Sequence, residues 1–159
     1  MKIRVGFGYD VHKLKSGEEF WLGGIRIEHE KGAVGHSDAD VLIHVICDAL
    51  LGAANKRDIG YHFSDSDPKY KGIDSKILLK ETIDIIGQSG WKVENIDSTI
   101  CLQIPKINPH ISAMKLCLSE VIRISEEDIS IKATTTEKLG FVGREEGISA
   151  YAVVLISKE

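Results

Sequence analysis

The chain has 159 residues, of which 43% are hydrophobic and 28% charged, a composition typical of one globular domain, which we place at 1–159. Its 20 basic and 24 acidic residues give a net charge of −4, and no basic stripe occurs, which argues against a nucleic-acid partner. No apolar stretch approaches the ~20 residues of a membrane span, and strand pattern starts at the N-terminus, so we expect neither a membrane partner nor a targeting peptide.

In chain order, hydrophobic patterning predicts both strands and helices. Ile3, Val5 and Phe7 alternate as strand residues do, and a Gly23-Gly24 pair supplies the positive φ that a tight hairpin turn needs. The predicted elements are a strand over 2–9, a hairpin of 20–22 and 25–27, a helix from Asp38 to Ala54, a polar loop from Arg57 to Gly72, a helix over 74–89, a strand over 96–104, a turn from Pro105 to Pro109, a helix over 109–123, and strands over 128–135 and 148–157.

This order predicts a single-domain α/β protein of the α+β type, in which helices pack on one face of a mixed sheet. The other face must then be buried by something else. The last strand is apolar on both sides, which fits a contact with another subunit and equally fits a central strand in a monomer. We expect a homo-oligomer.

Three cysteines, Cys47, Cys101 and Cys117, lie in apolar patterns without CxxC spacing. An odd number of cysteines does not suit a disulfide framework, which is typical of small secreted domains. We therefore expect buried, reduced thiols and a cytoplasmic protein.

Asp10-Val11-His12 follows the alternating run of the first strand. Residues two apart in a strand point to the same face, so this carboxylate and imidazole project together. His44, on the first helix, is the third candidate ligand. Three N/O ligands leave a fourth tetrahedral position open, as catalytic zinc sites do. The pattern therefore favours an enzyme.

Asp40, His44 and Asp48 recur every four residues and form one stripe on that helix. Charged helix stripes usually face water, and two acids with a histidine are not expected to lie together in the core. The stripe is either a solvated face or, if the helix meets Asp10 and His12, a source of metal ligands.

Two further segments contain groups suited to phosphate. His36 precedes the first helix, where free backbone N–H groups attract anions, although it could simply join the capping network. Thr134, Thr135 and Thr136 could donate to phosphate oxygens while Glu137 supplies a ligand for Mg²⁺. Threonine is also simply a good strand former.

Seven motifs occur in one order: Gly8-Tyr9-Asp10-Val11-His12, Gly35-His36-Ser37-Asp38-Ala39-Asp40, Asp48-Ala49-Leu50-Leu51-Gly52-Ala53-Ala54, Asp58-Ile59-Gly60, Phe63-Ser64-Asp65-Ser66-Asp67-Pro68, Pro105-Lys106, and Lys132-Ala133-Thr134-Thr135-Thr136-Glu137-Lys138-Leu139-Gly140-Phe141. From about residue 3 to the end, the chain resembles the 2-C-methyl-D-erythritol 2,4-cyclodiphosphate synthase family. The resemblance implies a homotrimer in which sheets surround the threefold axis, helices lie outside, and neighbouring subunits share each active site.

The resemblance also implies a phosphorus-oxygen lyase of the non-mevalonate isoprenoid pathway. Its substrate, 4-diphosphocytidyl-2-C-methyl-D-erythritol 2-phosphate, becomes the 2,4-cyclodiphosphate plus CMP. The nucleophile is the substrate's own 2-phosphate, already mostly dianionic because its second pKa is about 6. No side-chain nucleophile is needed, because cyclisation of this kind depends on positioning and charge neutralisation.

Residue by residue, the resemblance implies one Zn²⁺ per subunit on Asp10, His12 and His44, and a second divalent cation, Mg²⁺ or Mn²⁺, on Glu137. His36 and Thr135 are the implied catalytic residues. The implied substrate-binding residues are Asp10, His12, His36, Ser37, Asp58, Ile59, Gly60, Phe63, Asp65 and Asp67 for the erythritol phosphate part, Leu102, Pro105, Lys106, Ile107, Asn108, Thr134, Thr135, Thr136 and Glu137 for the cytidine diphosphate part, and Phe141 and Arg144 beside an axial cavity where isoprenoid diphosphates can bind.

Three residues depart from the family pattern. Ala39 replaces a common glycine, Leu102 stands where a small residue often borders the cytosine, and Asn108 stands where an apolar one is usual. Two other classes remain as alternatives: a trimeric binding module with a structural zinc, and a metal-dependent phosphohydrolase. A closed fourth ligand position would favour the first, and release of inorganic phosphate the second.

Overall fold

The computed structural model describes all residues, Met1–Glu159. Seven strands and five α-helices make up the fold. They are β1 (Lys2–Ser16), β2 (Phe20–Leu22), β3 (Ile25–Ile27), β4 (Lys31–Val34), α1 (Val41–Ala53), α2 (Ile59–His62), α3 (Ser75–Gly87), β5 (Lys92–Cys101), α4 (Ile111–Ile122), β6 (Ile129–Thr134), α5 (Gly140–Gly143) and β7 (Gly147–Lys158). Three 3₁₀ turns lie at Pro68–Tyr70, Asn108–His110 and Glu126–Asp128. None of the helices combines the length and hydrophobicity that a membrane-spanning helix needs.

Five strands form one mixed sheet in the order β4-β1-β7-β5-β6, and β2 pairs with β3 as the predicted hairpin. Only β5 and β6 run parallel, while the other pairs are antiparallel. Helix α1 lies on β1 and β7. The predicted fold class is confirmed.

Two glycines of β1 allow α1 to lie close to the sheet. A Cβ atom at Gly6 would lie 2.0 Å from the carbonyl oxygen of Ala49, and one at Gly8 would lie 2.3 Å from that of Val45. Residues of β1 with even numbers therefore face α1. Because Asp10 and His12 continue this series, their side chains lie on the helix-covered face of the sheet.

The opposite face of the sheet is apolar and open in the single chain. The exposed fractions of Val5, Phe7 and Val153 are 65%, 63% and 43%, and Tyr9 packs against Tyr151 in a tilted arrangement with ring centroids 5.0 Å apart. Strand β7 is central, as the monomer interpretation required, yet its second face is not covered by any other part of the chain. We call this face, made of residues 3, 5, 7, 9, 11, 151 and 153, the open apolar face.

Several predicted boundaries were wrong. Strand β1 continues to Ser16, beyond the predicted end at residue 9, because its second half pairs with β4 and β7. Strand β4 was not predicted at all, and β5 begins and ends three to four residues earlier than expected. The predicted loop 57–72 contains α2 and a 3₁₀ turn, and the predicted helix 109–123 begins as the 3₁₀ turn around Pro109.

Two expectations about burial also need correction. Asp40 is fully buried, although the polar stripe was expected outside the core. Of the three free cysteines only Cys47 is buried, where burial raises the pKa of its thiol to about 12, whereas Cys101 and Cys117 are partly exposed.

Candidate metal centre

Three side chains from β1 and α1 converge on one point, as the sequence predicted for Asp10, His12 and His44. The Nε2 atom of His12 lies 3.0 Å from Nδ1 of His44 and 3.2 Å from Oδ2 of Asp10. The third side of this triangle, from Nδ1 of His44 to Oδ2 of Asp10, measures 3.3 Å. Asp10 and His12 lie inside β1, paired with Ala150 and Ile148 of β7, and not at a strand end.

The donor triangle suits a tetrahedral metal ion. Zinc bonds of about 2.0–2.1 Å to nitrogen and oxygen place the donor atoms roughly 3.3–3.4 Å apart in a tetrahedral site. No fourth His, Cys, Asp or Glu atom joins the group. The residues therefore fit an ion held by three protein ligands with its fourth position open.

The surroundings of Asp10 keep its carboxylate in the ionised form that a cation needs. Burial by itself raises its pKa, but hydrogen bonds from His12 and His44 and the charges of these imidazoles outweigh burial and hold the pKa of Asp10 well below its usual range. The carboxylate is thus ionised at neutral pH, as a metal ligand must be.

Asp40 fixes the residue at which α1 begins, and thereby the position of His44 along the helix. Its carboxylate accepts the N–H of Ile43 at 3.0 Å as the N-cap, and also the N–H groups of Gly23 at 2.9 Å and Gly24 at 2.7 Å from the hairpin turn. Burial raises the pKa of Asp40, and these N–H groups oppose that rise. The buried carboxylate of Asp40 therefore links the hairpin turn to the N-terminus of α1 through hydrogen bonds.

The second ring nitrogen of His44 faces two hydroxyl groups. Its Nε2 lies 2.9 Å from Oγ of Ser37 and 3.0 Å from Oγ of Ser75. Ser75 is the first residue of α3 and is fully buried. No local sequence signal distinguished Ser75 from the other residues of that helix.

A cavity of about 410 Å³ opens beside the three ligands. Its lining consists of Asp10, His12, Gly35, His36, Ser37, His44, Ile59, Gly60, Phe63, Asp65, Tyr70 and Leu78. The structure thus brings together most of the residues predicted for the erythritol phosphate part. Tyr70 and Leu78 were missed. Tyr70 packs edge-on against Phe63, with ring centroids 5.5 Å apart, and this contact depends on the folded loop.

Two of the residues predicted for the erythritol phosphate part form hydrogen bonds with the backbone near them in sequence. The Asp58 carboxylate accepts the N–H of Tyr61 as the N-cap of α2, and that of Asp67 accepts the N–H of Lys69. Neither side chain lines the cavity. The backbone of Asp67 does approach the site, because its carbonyl oxygen accepts a hydrogen bond from Nε2 of His36 at 3.1 Å.

The residues predicted for cytidine form a second cluster at the ends of β5 and β6. The N–H of Leu102 donates to the carbonyl oxygen of Thr134 at 3.0 Å, which joins the segment 102–108 to the threonine segment. The side chains of Leu102 and Ile107 are 5% and 3% exposed and belong to the core. At these two positions the backbone, and not the side chain, is available to a ligand, so a base bordered by Leu102 would meet its main chain.

The two clusters are far apart within one chain. By register, Thr134 of β6 lies level with Cys101, Ser149 and Val11, on the face opposite to Asp10. Three strand spacings of about 4.8 Å separate β1 from β6, which gives roughly 14 Å. Thr135 and Glu137 are exposed. Within the single chain, Glu137 does not belong to any group of three or more acidic, histidine or cysteine side chains that could hold a metal ion.

Phe141 and Arg144 were predicted beside an axial cavity. The guanidinium of Arg144 forms an ion pair with Glu146 at 3.0 Å. Phe141 is 37% exposed. Both side chains lie on the surface of the single chain.

The fold and the convergent side chains define an α+β protein with a candidate three-ligand metal site at the edge of a cavity. The family model described as the YgbB family matches residues 3–157, and the chain belongs to that family. Relatives agree over the full length. The 2-C-methyl-D-erythritol 2,4-cyclodiphosphate synthase of Bacteroides thetaiotaomicron is 67% identical over 100% of both chains, and that of Cytophaga hutchinsonii is 63% identical over 99% of both.

Solved structures agree with this assignment. The bifunctional IspDF of Campylobacter jejuni superimposes with a TM-score of 0.95 at 39% identity over 99% of this chain, which spans 43% of that longer protein. The CDP complex of IspF from Plasmodium falciparum superimposes with a TM-score of 0.87 at 34% identity, over 99% of this chain and 97% of the other.

Proposed function

We propose that this protein is an enzyme that converts 4-diphosphocytidyl-2-C-methyl-D-erythritol 2-phosphate into 2-C-methyl-D-erythritol 2,4-cyclodiphosphate and CMP. The observation that carries the proposal is the donor triangle of Asp10, His12 and His44 at the edge of a cavity with polar and apolar walls. Full-length relatives that bear the synthase name support it.

The reaction is a phosphoryl transfer within one substrate molecule, of the phosphorus-oxygen lyase type. An oxygen of the 2-phosphate forms a bond to the diphosphate phosphorus that is attached to the erythritol. The bond from that phosphorus to the bridging oxygen breaks, so CMP leaves with this oxygen and the electron pair. A bound zinc ion supplies Lewis acidity and positive charge to phosphate oxygens. The chain's own contribution is to orient the two phosphates and to exclude water.

Residues of the cavity suit that role. Ser37 and His36 line the same cavity as Asp10, His12 and His44 and carry groups that can donate to phosphate oxygens. Phe63 and Ile59 supply apolar surface for the carbon skeleton. The cytidine half of the substrate binds at the second cluster, at the ends of β5 and β6. There Lys106 and Thr134 to Thr136 act as hydrogen-bond donors, and Glu137 binds the second metal ion, Mg²⁺ or Mn²⁺.

The roughly 14 Å between the clusters supports an active site shared between subunits. We infer a homotrimer in which the open apolar face lies at the interface, because a contiguous apolar face of this kind usually marks a protein contact. Phe141 and Arg144 then border the axis, where an isoprenoid diphosphate is a candidate ligand. Three free thiols support a reducing compartment such as the cytoplasm.

Thr135→Ala is expected to lower kcat roughly 100- to 1,000-fold, the usual loss for a donor that acts on charge developing in the transition state. Substrate affinity should stay close to that of the unmodified protein, because the remaining contacts hold the ground state. Steady-state kinetics and calorimetric titration with CDP measure the two quantities. Ser130→Ala, which removes an exposed hydroxyl from β6, the strand that ends just before Thr135, is the control. An unchanged kcat in Thr135→Ala would remove Thr135 from the mechanism.

Product analysis decides between the proposed activity and its alternatives. Zinc-loaded protein is incubated with the cytidine diphosphate substrate and followed by phosphorus NMR. We expect a cyclic diphosphate and CMP in equal amounts. Release of inorganic phosphate would identify a phosphohydrolase, and recovery of unchanged substrate would favour a structural-zinc binding module.

A further inference from the structure

His44 belongs to a chain of hydrogen bonds that extends away from the metal centre. When Nδ1 of His44 binds a metal ion it carries no proton, so the ring's single proton lies on Nε2. That N–H has two acceptors within reach, Oγ of Ser37 at 2.9 Å and Oγ of Ser75 at 3.0 Å. Both hydroxyls therefore act as acceptors toward His44.

The two hydroxyls differ in where their own protons go. The Ser75 hydroxyl donates to Oδ1 of Asp38 in a short hydrogen bond, and its backbone N–H donates to Oδ2 of Asp38 at 2.9 Å. Ser75 is fully buried, and its other hydroxyl neighbour, Oγ of Ser37, is more distant at 3.4 Å, so the proton is directed to Asp38. Ser37 lies on the cavity wall, and its hydroxyl already accepts the N–H of Ala39 at 3.2 Å. Its proton is free to point into the cavity.

Asp38 is itself firmly held. Its N–H donates to the carbonyl oxygen of Ile73 at 3.1 Å, and its Oδ1 accepts the N–H of Asp40 at 3.1 Å. Asp38 thus fixes the first residue of α3 against the segment that leads into α1. The hydrogen-bond chain thus runs from the carboxylate of Asp38 through the hydroxyl of Ser75 to Nε2 of His44. The other ring nitrogen, Nδ1, faces the candidate metal position.

We infer that Ser75 and Asp38 are positioning residues of the metal centre. They hold the proton of His44 on Nε2 and orient the ring so that Nδ1 faces Asp10 and His12. Ser37 is left to donate its proton to a ligand in the cavity. The inference rests on the proposed metal role of the triangle, and it assigns a function to a helix residue outside the cavity and outside every sequence motif.

The test measures metal affinity in place of turnover. Ser75→Ala is expected to weaken Zn²⁺ binding about 10- to 100-fold in competition with a chromophoric chelator, the usual effect of losing the outer partner of a ligating histidine. The visible absorption bands of the Co²⁺-substituted variant should shift, because the His44 ring is less well oriented. Ser98→Ala is the matched control: Ser98 is 1% exposed, its hydroxyl donates to the carbonyl oxygen of Ser130 at 3.0 Å, and its strand β5 is separated from β1 by β7.

Asp38→Asn provides a second variant should Ser75→Ala fail to fold. It keeps the shape of the side chain, removes its charge, and should weaken Zn²⁺ binding in the same direction. Ser37→Ala should weaken Zn²⁺ binding less than Ser75→Ala does, because Ser75, which Asp38 holds in place, still accepts the Nε2 proton. Unchanged affinity and spectrum in the folded Ser75 and Asp38 variants would overturn the inference. If the unmodified protein bound no Zn²⁺, the proposed function itself would fail.

Discussion

His44→Ala is expected to abolish zinc retention and turnover while the chain stays folded. Two remaining donors, Asp10 and His12, cannot hold an ion that needs three protein ligands. The loss should exceed the roughly 10- to 100-fold that removal of an outer partner costs. The fold should persist because the His44 side chain faces the cavity, whereas its α1 neighbours Val45 and Ile46 are fully buried in the core.

Elemental metal analysis after dialysis, together with far-UV circular dichroism, measures both outcomes. His29→Ala is the control, because this imidazole lies outside the donor group and should leave one zinc per subunit. Full zinc occupancy in a folded His44→Ala protein would contradict the assignment of the centre.

Phe7→Glu is expected to dissociate the oligomer and abolish turnover. Phe7 lies on the open apolar face beside Val153, its partner across the strands, and is 63% exposed in the single chain. A carboxylate buried there at an interface would lose its hydration without gaining a partner, which costs several kcal/mol per subunit. The chain should still fold, because this position is not in the core.

The released subunit should bind zinc but lack the cytidine half of a neighbouring site. Sedimentation velocity gives the mass, and the same preparation is assayed for CMP release. Leu116→Glu makes the same kind of change on the outer face of α4, where Leu116 is 49% exposed, and should leave the assembly and turnover intact. An active monomer of Phe7→Glu would show that one chain builds the whole site.

The convergence of the three candidate metal ligands was predictable because two of them have a short-range signature. Asp10 and His12 are two residues apart in a strand, and His44 lies on a helix of clear periodicity. The extent of β1 was not predictable, because Lys13 and Lys15 interrupt the apolar pattern and the strand continues only by pairing with β4 and β7. Pairing of this kind joins residues far apart in sequence.

Buried polar residues were the least accessible to sequence reasoning. Asp40 appeared to be a solvent-facing acid because its partners at Gly23 and Gly24 come from a hairpin 16 to 17 residues earlier. Ser75 carried no signal, since its partners Asp38 and His44 are both more than 30 residues away. Tertiary contacts decide such cases, and local periodicity does not record them.

The decisive measurement is the coordination of zinc in crystals of the unmodified protein, located by anomalous scattering at the zinc absorption edge. We expect one ion per subunit, bound by Oδ2 of Asp10, Nε2 of His12 and Nδ1 of His44, with water or a phosphate oxygen in the fourth position. An ion elsewhere, or a fourth amino-acid ligand that closes the site, would contradict an open metal centre.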